Sequence, residues 1–287
     1  MTLTQYALTG LLAMCAAVPA FAAQPVTRHF VVRGDARLEV LAQGQGPLVV
    51  LLPSLGRGAH DFDAMVDTIV NACFRVLRPE PRGIGQSTGP WENVNLQDLA
   101  ADIAAVIEHE KAGPAFVVGH AFGNRVSRML ATDRPDLVKA VSLIAANVGR
   151  NPSPPNVRAA IRTSADLKAS DEERVKAMQF VFFAPGSDAR VWLTGWHPEV
   201  LAGQRLAGDR TSRELDYAAG KAPVLYIQPS HDPLARVDEA DEYKHALGGR
   251  VTVVVVPNSA HAVIVEQPAA VSDALVAYAK KLWPNGR

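Results

Sequence analysis

A chain of 287 residues carrying 29 Lys and Arg against 29 Asp and Glu has a formal net charge of zero and a pI near 7.1, which excludes the one-signed field of a nucleic-acid binder. Hydrophobic residues at 48% and charged residues at 20% exclude a disordered chain. The two cysteines, Cys15 and Cys73, supply neither a disulfide framework nor a Cys-based zinc site.

Residues 1–22 contain no Asp, Glu, Lys or Arg, and an apolar run over 8–18 ends at Pro19 and Ala20-Phe21-Ala22. This pattern predicts a secretory signal peptide cleaved before Ala23, with the mature protein exported to the periplasm or the medium. The run is too short to span a bilayer, which takes about 20 apolar residues, so no integral membrane segment is expected after cleavage. Gly34-Asp35, between strand-like stretches at 30–32 and 37–41, predicts an opening hairpin. The unbroken apolar run at 48–52 predicts a strand buried on both faces of a parallel sheet. Helix at 61–72, strand at 74–77, helix at 96–110, strand at 115–118, helix at 122–132 and strand at 138–145 follow from the alternation of apolar periods. This rhythm predicts a doubly wound, mostly parallel α/β sheet.

The rhythm stops at Asn147 and resumes after Pro223 with a strand at 224–227, a helix at 239–247, a strand at 251–256 and a helix at 268–282. The interval 148–222 opens on Asn151-Pro152-Ser153-Pro154-Pro155, then carries helical patterns with Phe180, Phe182, Phe183, Trp192 and Trp196. It is expected to form an inserted helical cap with an apolar underside, on a core built from 23–147 and 223–287. Most of these aromatics are expected to pack cap against core, with Trp196 as a candidate pocket wall.

Three motifs fall at the ends of predicted strands. Gly119-His120-Ala121-Phe122-Gly123 lies between a strand and a helix, Ser230-His231-Asp232-Pro233 follows the strand that resumes the sheet, and Asn258-Ser259-Ala260-His261-Ala262 follows the last strand. The first resembles the Gly-x-Ser-x-Gly nucleophile elbow of the α/β-hydrolase superfamily, whose glycines permit a strained turn that lifts one side chain above the sheet. The resemblance runs from about residue 28 to 283. It implies that Ala121 stands where the family has its nucleophile, and that Asp232 and His261 occupy the acid and base positions in the family's order. It also implies an oxyanion hole made by the backbone N–H groups of Leu55 and Phe122.

Two departures qualify the resemblance. Ala121 offers a methyl group in place of a hydroxyl, and Pro53-Ser54 stands where the family usually reads His-Gly, which puts the Ser54 hydroxyl beside the hole. The double departure favours divergence over a single inactivating substitution. His231 and His120 are alternative imidazoles, and Pro81-Arg82-Gly83-Ile84-Gly85-Gln86-Ser87 looks like a structural turn of the family. No metal constellation or dinucleotide fingerprint is evident, since Gly83-x-Gly85 lacks the third glycine and a following acid, and no cofactor is expected. Three readings stay open. In one, His261 and Asp232 work with the hole on a small, largely apolar carbonyl or ester compound without a serine nucleophile. In the others, the chain is a silent ligand-binding pseudoenzyme or a serine esterase inactivated at 121.

Overall fold

The computed structural model describes residues 24–148 and 153–284, so the expected leader at 1–22 lies outside the described residues. The hairpin forms from Thr27–Arg33 (β1) and Ala36–Gln43 (β2), turning through Gly34 at φ 55°. The apolar run becomes Leu48–Leu52 (β3), buried at every position. The helix expected at 61–72 divides into a 3-10 turn, Ala59–Phe62, and Asp63–Asn71 (α1). Arg75–Pro79 (β4), Leu96–Glu110 (α2), Ala115–His120 (β5), Phe122–Asp133 (α3) and Val138–Ile144 (β6) complete the first half. Asn95 and Asp98 close a reciprocal capping box that fixes where α2 begins.

Among the described residues between β6 and the next strand lie Pro155–Ala165 (α4), Asp171–Val181 (α5), a 3-10 turn at Ala189–Trp192, Pro198–Asp209 (α6) and Arg213–Tyr217 (α7). Val224–Pro229 (β7), Val237–Leu247 (α8), Val251–Val256 (β8), Val263–Glu266 (α9) and Pro268–Leu282 (α10) then close the fold. The single turn of α9 is too short to show a helical period in the sequence.

Among the described residues the eight strands form one sheet in the order β1-β2-β4-β3-β5-β6-β7-β8, antiparallel at β1, β2 and β4 and parallel from β4 onward. After β3 the chain builds β4 on one side, then returns to build β5 on the other. That reversal opens a crevice beyond the carboxyl ends of β3 and β5, the place where doubly wound sheets receive ligands. One face of the sheet packs on α2, α3 and α8 through residues such as Ile103, Ile107, Met129 and Tyr243. The other packs on α1 and α10 through Met65, Ile69, Val271 and Leu275. Above the carboxyl ends, the helices between β6 and β7 gather Met178, Phe182, Trp192, Trp196 and Leu201 against Leu234 and Ala262 of the core.

The 81–87 turn is held by buried charge. Asp102 of α2 accepts from Arg82 Nε at 2.7 Å and Nη2 at 3.0 Å, and from Arg33 Nε at 2.8 Å. Ser87 Oγ donates to the Glu80 carbonyl and accepts from the Glu39 amide. Replacing Asp102 by Ala leaves the Arg82 guanidinium, 5% exposed, without its carboxylate. Urea denaturation of Asp102→Ala is therefore expected to show a loss of about 3–5 kcal/mol, the cost of breaking a buried ion pair from one side.

Candidate active site

Close packing creates the turn at the end of β5. A Cβ on Gly119 would lie 2.4 Å from the Cα of Asn124, and one on Gly123 would lie 2.3 Å from the carbonyl oxygen of Leu52. Neither position admits a side chain, and the chain between them reverses through Ala121 at φ 48°, ψ −109°. A non-glycine residue there carries about 1–3 kcal/mol of backbone strain. The turn is tied down by the Ala121 N–H to the Ile144 carbonyl at 3.0 Å and by the Asn124 N–H to the Ala121 carbonyl at 3.2 Å.

Asp232 and His261 meet from the loops after β7 and β8. Asp232 Oδ1 accepts the backbone N–H groups of Leu234 at 2.8 Å and Ala235 at 3.0 Å, while Oδ2 faces His261 Nδ1 at 2.9 Å. The carboxylate side chain is 0% exposed and the imidazole 7%, so the carboxylate is shielded from bulk water. A carboxylate partner places the proton on Nδ1 and leaves the Nε2 lone pair as the basic atom. Phe182 stacks on the imidazole with centroids 5.7 Å apart and limits its rotation.

The alternative imidazoles are placed elsewhere. His120 is buried and donates Nε2–H to the His261 carbonyl at 2.7 Å. Burial, reinforced by the nearby His261 charge, pushes it down to about 3, so it is neutral and braces the loop that carries His261. His231 is exposed and bonds Ser230 Oγ at 2.8 Å.

The Pro53-Ser54-Leu55 loop leaves β3 beside the turn. Phe122 is the first residue of α3, so its N–H has no acceptor within the helix, and among the described residues neither it nor the Leu55 N–H reaches any protein acceptor. The loop is clamped by the segment between β6 and β7. Gly56 N–H donates to Gln204 Oε1 at 2.7 Å, His197 N–H donates to the Gly56 carbonyl at 3.0 Å, and Arg57 Nη1 donates to the Thr194 carbonyl at 2.7 Å. The Arg57 guanidinium also pairs with Asp61 and lies 4.7 Å and 5.0 Å from the Trp192 and Trp196 ring centroids.

These parts surround a cavity of about 190 Å³ whose wall includes Ser54, Leu55, Ala121, Phe122, Trp196 and His261. Of the residues expected from the sequence, only Asp232 is absent from that wall; it sits behind His261 as the imidazole's hydrogen-bond partner. Trp196 gives its indole N–H to the Trp192 carbonyl at 2.7 Å and is left with apolar surface toward ligand. The cavity also includes Arg125, Asn147 and Arg213, which the sequence reading did not single out. Arg125 stands four residues after Ala121, the spacing that places two residues on one helix face. Asn147 and Arg213 had no such local signal. Among the described residues no cluster of His, Cys, Asp and Glu could hold a metal, and no helix is long and apolar enough to cross a membrane.

Residues 47–268 match the family model described as alpha/beta hydrolase fold, and the chain belongs to that family. It is 32% identical over 127 residues to 2-(acetamidomethylene)succinate hydrolase of Mesorhizobium japonicum, a match covering 43% of this chain and 45% of the relative. The chain thus spans less than half of that relative's length. Among solved structures, a thermophilic esterase from Thermogutta terrifontis with malate bound superimposes with a TM-score of 0.75 at 20% identity, covering 89% of this chain and 99% of that one. The enol-lactonase from Burkholderia xenovorans gives 0.73 at 21% identity, covering 88% and 100%. At these identities the structural likeness shows a shared fold.

The His120 brace carries a pH signature. Its folded value of about 3 lies below the ordinary 6.5, so the unfolded chain takes up a proton below pH 6.5 that the folded chain refuses. Stability should fall as pH drops from 6.5 toward 3, with a slope of up to about 1.4 kcal/mol per pH unit from this group. Urea unfolding of wild type and His120→Gln at pH 7 and pH 5 should give a smaller pH difference in the variant.

Proposed function

We propose that the chain is an enzyme of the hydrolase superfamily that acts on a small, largely apolar carbonyl or ester compound by general-base and oxyanion-hole chemistry, without a serine nucleophile. The observation that carries this reading is that the wall holding the His261 imidazole, oriented by Asp232, also holds Leu55 and Phe122, with Ala121 among them. Position 121 contributes a methyl group and no attacking atom, so in this reading the oxygen comes from water or from the substrate itself.

With an ester, His261 Nε2 takes a proton from water as the water oxygen bonds to the carbonyl carbon, and the carbonyl electron pair moves onto its oxygen. The Leu55 and Phe122 N–H groups would hold that oxyanion, while buried Asp232 balances the imidazolium. The tetrahedral species then expels the alkoxide, which recovers the proton from His261. The same base could instead take a proton from a substrate carbon or hydroxyl while the hole holds the developing charge. The substitution at 121 favours a second reading, a pocket that binds ligand and does not turn it over. The segment at 148–222 acts as a cap in either case, because it contributes Phe182 and Trp196 to the cavity.

Two variants separate the readings. In an enzyme, His261→Ala abolishes turnover with an unchanged melting profile, and Asp232→Asn, which disturbs the tautomer of the imidazole, lowers it by on the order of 10²–10⁴-fold. In a binding protein both change ligand affinity modestly. Full turnover without His261 overturns the assignment. Separately, Ala121→Ser should gain hydrolysis of short activated esters and a fluorophosphonate adduct at 121, detected by intact mass, while the wild type shows no adduct there.

We also propose that the protein is exported. The charge-free, apolar leader at 1–22 supports this, and amino-terminal sequencing of protein recovered from the periplasm or medium should begin at Ala23. Unprocessed chain retained in the cytosol would overturn it.

A further inference from the structure

We propose that Glu266 positions the His261 base and couples it to the inserted segment at 182–187, so that the imidazole keeps its working tautomer only while that segment is seated. The inference rests on the reading of His261 as the base and adds a positioning residue to it.

The Glu266 carboxylate is where two pieces of chain meet. Its Oε2 accepts the N–H of Ala260, the residue before His261, at 2.7 Å, while its Oε1 accepts the Ala184 N–H at 2.7 Å and the Ser187 hydroxyl at 2.6 Å. On the other side of the base, the Ala262 N–H donates to the Phe182 carbonyl at 2.8 Å, and the Phe182 ring lies on the imidazole itself. Both chain neighbours of His261 are thus held by one short stretch of the inserted segment. That stretch is tied in turn to α5, where Gln179 Nε2 donates to the Ala184 carbonyl at 3.0 Å. The single turn of α9 brings Glu266 back over Ala260, since the Val265 and Glu266 N–H groups both donate to the Ala262 carbonyl, at 2.9 Å and 3.1 Å.

The chemistry of the junction calls for a carboxylate. All three partners of Glu266 are donors, divided between its two oxygens. An ionised carboxylate accepts at both oxygens, whereas an amide of the same shape accepts at one and presents an NH₂ group at the other. A glutamine here keeps either the Ala260 side or the inserted side and sets donor against donor on the remaining one. Ala184 and Ala260 are both buried, so an N–H that loses its acceptor carries its full desolvation cost unless the loop moves. Movement of that loop reaches the base directly. His261 Nδ1 faces Asp232 Oδ2 at 2.9 Å, a contact that weakens steeply as its angle opens. Once it weakens, the imidazole is free to carry its proton on Nε2, where no lone pair is left to act as base.

Nitrogen NMR of the full chain labelled with ¹⁵N-histidine tests this without a ligand, the His261 ring signals being identified by their loss in His261→Ala. At a pH where the ring is neutral, the wild type should show a single tautomer with the proton on Nδ1. Glu266→Gln should bring in the Nε2–H form and lower kcat for 4-nitrophenyl acetate by about tenfold to a hundredfold, the scale of a misplaced catalytic group. Ser187→Ala removes one donor on the inserted side and leaves the histidine loop untouched. It should move the same signals in the same direction by less, and it carries the test if Glu266→Gln does not fold. Wild-type ring signals in folded Glu266→Gln, or in Ser187→Ala where that variant alone folds, would overturn the positioning role whatever the melting temperature. A change of tautomer alongside ester turnover that persists undiminished in His261→Ala would overturn the reading of His261 as the base and leave the coupling standing.

Discussion

The site depends on one steric constraint: the backbone of α3 enters against the end of β3 with no room for a side chain at position 123. The Leu52 carbonyl occupies the space that a Gly123 Cβ would need. That approach brings the unpaired N–H at the start of α3 beside the loop that leaves β3, and it forces residue 121 into a left-handed backbone state. Strand order places this contact at the crevice where the sheet changes direction. The arrangement is therefore a property of the backbone, and it persists whether residue 121 presents a hydroxyl or a methyl group.

A second kind of order comes from backbone amides that fix side chains. Asp232 has one oxygen saturated by two amide donors and the other aimed at His261, so its direction is set before any ligand arrives. The imidazole is gripped by that oxygen and by the stacked Phe182 ring, while its own carbonyl is braced by neutral His120. Low exposure strengthens each of these contacts, because water cannot compete for the same groups.

Much of this was legible in the sequence because burial on both faces of a strand leaves an unbroken apolar run, as at Leu48–Leu52. The elbow was legible through its glycine spacing, and the Asp232–His261 pair through its order along the chain. Other features required the folded chain. The single turn of α9 has no period to read, and the 3-10 turn ahead of α1 shares the polar and apolar pattern of the helix it precedes. Arg125 looks like an ordinary solvated position on an amphipathic helix until α6 and α7 are seen to close over it through Gly208, Thr211 and Asp216. Asn147 and Arg213 are 66 residues apart and meet only in the tertiary structure.

The clamp between the Leu55 loop and the inserted helices links two properties that other architectures could vary separately. Gln204, His197 and Thr194 hold the loop through Gly56 and Arg57, and Trp196 from the same stretch of chain forms part of the cavity's wall. Drift in this stretch that reshapes the wall also shifts the loop that carries the Leu55 N–H. Cavity shape and loop position are thus inherited together, and a library that randomises 194–204 would have to keep the three clamping bonds to hold the Leu55 loop where it stands.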